Sequence, residues 1–200
     1  MNNGLQQKVL SYSGIDTRSI SKHPGYAVMI IDMQKMCLKG VHPSDERRIL
    51  RSQATVIDYC IESNIPIFKV HYTGCGQTNF DIQEKLKEVP FIGKYTKRRD
   101  DAFKTYSRLP NILRNNGIDS LFMMGVYASM CLQESAISAK KKEFNVSTAW
   151  TVIADRFEFK RKGLDNDIKL IFENNNITFY ETHNEFIDHL KLRDLSRRNP

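Results

Sequence analysis

Tyr26-Ala27-Val28-Met29-Ile30-Ile31 is an unbroken apolar run, entered through Pro24-Gly25 and closed by Asp32. A strand with one face in water alternates polar and apolar residues. An unbroken run instead predicts a strand covered on both faces, as in the middle of a parallel sheet. Outward from this run, short β-type segments alternate with longer helical ones. Ile49, Leu50, Ala54, Ile57 and Ile61 recur at helical spacing, which predicts a helix over residues 45–63, stopped by Asn64. A second strand follows over 65–72, with Pro66 near its start, where a missing N–H is tolerated. Residues 73–101 are dotted with glycine and charge and read as a surface excursion holding one short helix over 81–88. A helix over 108–116, with Pro110 at its start and Gly117 at its end, leads to a third strand over 120–125. A helix through Ala136 and Ala139, a strand near 146–153, a helix over 164–174 and a strand over 177–180 complete the pattern. The alternation predicts an α/β fold, a parallel sheet with helices on both faces. No repeat or composition break divides the chain, so it reads as one domain over 1–200, with 1–24 as an N-terminal extension.

The 200 residues are 40% hydrophobic and 26% charged, a balance that suits a globular domain and excludes a disordered tail protein. No apolar run approaches the roughly 20 residues of a membrane-spanning helix. The start, MNNGLQQKVL, lacks the pattern of a secretory signal, so a cytoplasmic protein is expected. A formal charge of +7 permits acidic partners without naming one. Cys37, Cys60, Cys75 and Cys131 lack metal-finger or CxxC spacing and read as reduced thiols.

In an open parallel sheet, ligands bind beyond the carboxyl ends of the strands. Three residues stand there. Asp32 follows the first strand directly. Cys131 lies six residues after Gly125, where a strand must turn into a helix. Lys97 opens Lys97-Arg98-Arg99-Asp100-Asp101-Ala102-Phe103, read as a loop before the third strand. A thiol in the first turn of a helix feels the positive end of the helix dipole, and a nearby lysine lowers its pKa further. A carboxylate can take its proton, and backbone N–H groups of the turn can receive the oxyanion formed by attack on a carbonyl.

Ile30-Ile31-Asp32-Met33-Gln34, the segment from Lys97 to Phe103, and Gly125-Val126-Tyr127-Ala128 followed by Cys131 resemble, in the same order, the isochorismatase-like superfamily of cysteine hydrolases. The resemblance runs from about Gly25 to Asp155. It implies a three-layer α/β/α sandwich with a central, mostly parallel, Rossmann-like sheet. It also implies a catalytic set of Asp32, Lys97 and Cys131, in which the Asp activates the thiol, the Lys stabilises charge and the Cys forms a covalent intermediate. By the same carry-over, the Val126-Tyr127 peptide is expected to be cis, and the backbone N–H groups of Tyr127 and Cys131 to form the oxyanion hole. Nicotinamidases of this superfamily carry an Asp-x-His metal pair. This chain has none, so no catalytic metal and no cofactor are expected.

Gly125-Val126-Tyr127-Ala128 also looks like the turn of true isochorismatases, which leaves two enzymatic readings. The leading one is hydrolysis of an amide or related carbonyl-type bond in a small molecule through Cys131. The alternative is cleavage of a vinyl ether, with Asp32 as general acid and Cys131 a bystander. A non-catalytic interaction protein of the same fold is the third. An arbitrary cysteine is by default a buried apolar residue, and an aspartate after a strand is often a turn residue; the helix-start context and the resemblance outweigh both defaults here. Lys97 is preferred to Lys94 for its spacing to Phe103. His71, Cys37, Cys75 and Asp155 are assigned structural roles. The basic runs at 97–99 and 140–142 lack interleaved aromatics, so no nucleic-acid partner is expected. The expected partners are a small-molecule substrate and further copies of the chain, in a homo-oligomer, with no membrane.

Overall fold

The computed structural model describes residues 8–9, 25–158 and 165–198. Among the described residues eight strands form one parallel sheet: β1 (Lys8–Val9), β2 (Tyr26–Ile31), β3 (Ile67–Tyr72), β4 (Phe91–Lys97), β5 (Ser120–Val126), β6 (Asn145–Ala149), β7 (Ile153–Ala154) and β8 (Thr178–Tyr180). Their order is β1-β4-β3-β2-β5-β6-β8, with β7 paired to β5 beyond the end of β6. β2 and β5 are the middle strands, and both are almost wholly buried, which is why the 26–31 run carries no polar alternation.

From β2 the chain winds outward through β3 and β4. It then returns to β5 and winds the other way through β6 and β8. Because crossovers between parallel strands are right-handed, the reversal puts the connecting helices on opposite faces of the sheet. On one side are α2 (Pro43–Ser63) and α3 (Phe80–Lys85), which pack together; on the other, α6 (Gln133–Lys141) and α7 (Asp165–Asn174) follow the second winding. The last helix, α8 (His183–Arg198), returns to pack against α2. The short helices α1 (Lys35–Leu38), α4 (Ala102–Thr105) and α5 (Leu109–Asn115) lie in the connections. The α/β/α sandwich expected from the alternation is therefore present, with its topological switch between β2 and β5, where such sheets open a ligand crevice.

Three expectations need correction. Residues 91–97 are not surface excursion but strand β4, and Lys97 ends that strand instead of sitting in a loop. Gly93, which reads as a loop signal, lies where an added Cβ would come within 2.7 Å of the Phe68 ring; the glycine permits close packing between strands. The strand expected over 146–153 is two strands separated by a 3₁₀ turn, Trp150–Val152. Two side chains of α2 stabilise that break by meeting its carbonyls: Arg48 donates to Trp150 and Ile153, and Gln53 donates to Val152 at 2.8 Å. The helix before β3 starts at Pro43 rather than Asp45, because His42 caps it and Pro43 takes the first-turn position where no N–H is needed. Within the stretch read as an N-terminal extension, Lys8–Val9 pairs with Phe91 and Ile92 of β4 as an edge strand; residues 1–7, 10–24 and Leu164 lie outside the described residues.

Candidate active site

Asp32, Lys97 and Cys131 are delivered to one place by three strands of this sheet. Asp32 follows β2 with φ 52°, a left-handed conformation that turns its side chain out of the strand register. Its N–H still donates to Val70 of β3, and its carbonyl accepts from Gln34 at 2.7 Å. Lys97 is paired with Tyr72 across β3 and β4, so its side chain emerges at the same sheet edge. β5 ends at Val126, the Val126-Tyr127 peptide is cis, and Cys131 lies in the π-helical turn Ala128–Leu132 that runs into α6. The close approach of β5 to β2 depends on Gly125: at φ 137°, a Cβ there would stand 2.0 Å from the Ile31 carbonyl oxygen.

The side chains form a buried electrostatic unit. Lys97 Nζ lies 2.7 Å from Asp32 Oδ2, with both side chains almost fully buried. The ammonium also donates to the carbonyls of Asp100 at 3.0 Å and Arg99 at 3.3 Å, and sits 4.7 Å from the Tyr72 ring centre. These contacts engage the three donors of a lysine. Burial pulls the Lys97 pKa down, but the charge and hydrogen bond of Asp32 outweigh it, leaving Lys97 a firm cation. Burial raises the Asp32 pKa, against the opposing pull of Lys97. Its second oxygen, Oδ1, is buried and accepts no hydrogen bond among the described residues. Such an orphaned acceptor is costly unless it has a task.

Cys131 departs from expectation. The helix dipole and the lysine predict a lowered thiol pKa, yet burial first, and the Asp32 charge second, push it up, and Lys97 offsets only part of this. Burial thus favours the neutral thiol over the thiolate.

Several neighbours of this unit carry no obvious signal in the sequence. Asp100 Oδ1 lies 3.4 Å from the Cys131 sulfur as hydrogen-bond acceptor. Ser135 of α6 is donor to the Asp100 carbonyl at 3.3 Å and acceptor for the Ala102 N–H at 3.0 Å, fixing the 100–102 turn against the nucleophile helix. Gln34 clamps the segment after β3: Nε2 donates to the carbonyls of Tyr72 and Gly76, and Oε1 accepts from the Tyr72 N–H. The Asp-Met-Gln match pointed at Gln34 without its role.

The remaining candidates sit apart from the unit or support it. Lys94 is exposed on β4. His71 bonds Thr78 Oγ1 at 2.6 Å. Asp155 accepts from the Ser129 N–H at 2.8 Å, tying β7 to the turn that bears Cys131. Cys37 is buried, with its thiol pushed up to about 12 by burial and then by Cys75. Cys75 lines a groove of about 450 Å³ with Lys35, Met36 and Phe80. Among the described residues no group of three or more His, Cys, Asp or Glu is arranged to hold a metal ion, and no helix is long and apolar enough to cross a membrane.

Residues 26–155 match the isochorismatase domain, an interval that begins with β2 and closes just after β7, and so contains all three converging side chains. The chain belongs to the isochorismatase-domain family of hydrolases. Solved structures agree on the fold. An isochorismatase from Pseudomonas putida superposes with a TM-score of 0.67 at 19% identity, covering 85% of this chain and 91% of that one. A nicotinamidase from Staphylococcus aureus gives 0.65 at 19%, covering 79% and 98%. An octameric hydrolase of unknown specificity from Escherichia coli gives 0.62 at 16%, covering 85% and 78%. No curated protein matches the chain in sequence. Membership of the isochorismatase-domain family fixes the fold and the hydrolase class, and leaves the bond cleaved to the chemistry of the site.

Proposed function

We propose that this isochorismatase-domain protein hydrolyses an amide or related carbonyl-type bond of a small molecule, with Cys131 as nucleophile, Asp32 as base and Lys97 as fixed cation. The observation that carries the reading is the buried Asp32–Lys97 pair, with one carboxylate oxygen left unbonded beside a buried thiol. Lys97 holds Oδ2, so Oδ1 is the oxygen that takes the proton from Sγ as the sulfur attacks the carbonyl carbon. The C=O electron pair moves onto oxygen, and the backbone N–H groups of Tyr127 and Cys131 are assigned to receive it, as the family resemblance implies. Collapse re-forms the carbonyl and breaks the C–N bond. The departing amine takes the proton from Asp32, leaving an acyl thioester. Water then attacks the thioester, gives a proton back to Asp32 and from there to sulfur, and releases the acid. No metal enters these steps. The likeness to a nicotinamidase supports the amide reading, and the likeness to an octameric hydrolase supports a homo-oligomer.

The test is a panel of small amides, with isochorismate beside it, assayed with wild type, Cys131→Ala and Cys131→Ser. Cys131→Ala is expected to abolish amide turnover and Cys131→Ser to leave a trace, because a hydroxyl is a far weaker acid for Asp32 to deprotonate. Full activity of Cys131→Ala on isochorismate would replace this reading with the vinyl-ether one.

A further inference from the structure

The charges around the Cys131 sulfur do not balance. Asp32 and Lys97 neutralise one another at 2.7 Å. The contacts of Lys97 to Asp32, Arg99 and Asp100 occupy its donors, and the one to Asp100 is with the main-chain carbonyl, not the carboxylate. That leaves the Asp100 carboxylate, half-buried, with Oδ1 3.4 Å from Sγ. Among the described residues no ion pair involves it. Its position is not a matter of loop mobility: the Asp100 carbonyl is held by Lys97 from the sheet and by Ser135 from α6, so the backbone presents the carboxylate to the sulfur from two sides. The next residue, Asp101, is locked separately as the cap of α4, accepting from the N–H groups of Phe103 and Lys104. Asp100 also acts on Asp32, whose proton affinity its charge raises.

We infer that Asp100 is a specificity-determining residue: its carboxylate selects substrates that carry an N–H donor or a positive charge beside the reacting carbonyl, and excludes those that carry a carboxylate there. This rests on Cys131 being the nucleophile, as proposed above. A group bonded to the carbon under attack by Sγ comes within a few ångströms of Asp100 Oδ1. An amide or ureido N–H, or an ammonium, then gains a charge-assisted hydrogen bond. A carboxylate in the same place meets a like charge in a poorly solvated crevice, where repulsion is much stronger than in water. The same repulsion disfavours a dianionic vinyl ether and favours a neutral or cationic amide.

Two alkylating reagents of nearly equal size probe this without knowledge of the substrate. Iodoacetamide presents a primary amide beside the carbon that sulfur attacks, and iodoacetate a carboxylate. Rates of modification at Cys131, read from its peptide by mass spectrometry so that Cys37, Cys60 and Cys75 do not interfere, give a ratio to be compared with that of free cysteine. In wild type the amide-to-acid ratio is expected to exceed that of free cysteine by about tenfold or more, and Asp100→Asn to bring it back by a similar factor, since a charge effect of this kind is local and strong in a crevice. Asp100→Ser should behave as Asp100→Asn, and Asp100→Glu, which keeps the charge, should retain most of the wild-type ratio. The backbone bonds of residue 100 remain in all three, and far-UV circular dichroism checks the fold. If both reagents label Cys131 and the ratio is the same in wild type and Asp100→Asn, the role of Asp100 is wrong while the nucleophile stands. If neither reagent reaches Cys131, the nucleophile reading fails and the inference falls with it.

Discussion

At the scale of single residues, the site is held by an ion pair that is expensive to break and cheap to remove. Taking two charges out of water carries a large desolvation cost, which the Asp32–Lys97 pair recovers only by mutual contact and by the carbonyls that also meet Nζ. Asp32→Asn and Lys97→Met, each leaving one buried partner alone, are expected to lower unfolding free energy by about 3–5 kcal/mol. The double replacement should cost much less than the sum while being equally inactive. Urea unfolding of the two single variants and the double variant checks this; additive losses would mean that the pair is not coupled. Asp32 was legible from sequence because it follows an apolar run at a strand tip, and Cys131 because a strand must turn into a helix after Gly125, whereas Lys97 was read in a loop and chosen by its spacing to Phe103. The state of the thiol was not legible. Dipole and lysine are local features that sequence displays, whereas the burial that overrides them is a property of the packed whole.

At the scale of elements, the middle strands were legible because burial on both faces leaves a signature no helix shares at that length. β4 was not. Lys94 and Thr96 point to solvent, and Gly93 looks like a breaker. Only its contact with Phe68 shows why glycine is needed. α8 was missed because Phe186, Ile187 and Leu190, its buried apolar residues among those whose burial is described, sit among sixteen residues that are otherwise mostly polar. Contacts such as Cys131 with Asp100 join segments 31 positions apart and leave no trace in periodicity. The junction of β2 and β5 yields its own prediction. Gly125→Ala places a methyl group into the Ile31 carbonyl and strains a backbone at φ 137°. The β2–β5 pairing must separate to admit it. A loss of at least about 3 kcal/mol in stability is expected, together with loss of activity, since Asp32 and the Cys131 turn both hang from this junction. Thermal unfolding that matches wild type would contradict it.

At the scale of the whole molecule, stability should vary with pH through two basic groups on β3 that lie outside the reaction, the buried Lys69 and the half-buried His71. Burial, and then the Lys69 charge, push His71 down to about 4 from 6.5. The unfolded chain therefore binds a proton that the fold refuses, and stability falls as pH drops from 6.5 towards 4. Burial, and then Lys94, bring Lys69 down to about 8 from 10.5, so stability rises as pH climbs through that interval. Its ammonium is met by Thr78 Oγ1 and Gln83 Oε1, neither of them an anion. Relative to Lys69→Met, which has no such proton to lose, wild type should gain on the order of 1 kcal/mol between about pH 7 and pH 10. Denaturant unfolding at both pH values measures the difference, and a constant difference would refute it.

The Gln34 clamp bears on how such a molecule changes over generations. All three of its hydrogen bonds to the 72–76 segment end on main-chain atoms, so the clamp recognises the path of that segment and not its side chains. Residues 75 and 77 can thus be exchanged, at constant length, without loosening the wall that carries Asp32, whereas Gly74 and Gly76, at φ 81° and 75°, are kept by the path of the backbone and Thr73 by its hydrogen bond to the Lys97 carbonyl. One inherited frame can in this way be re-addressed to new substrates by exchanging a few letters beside it.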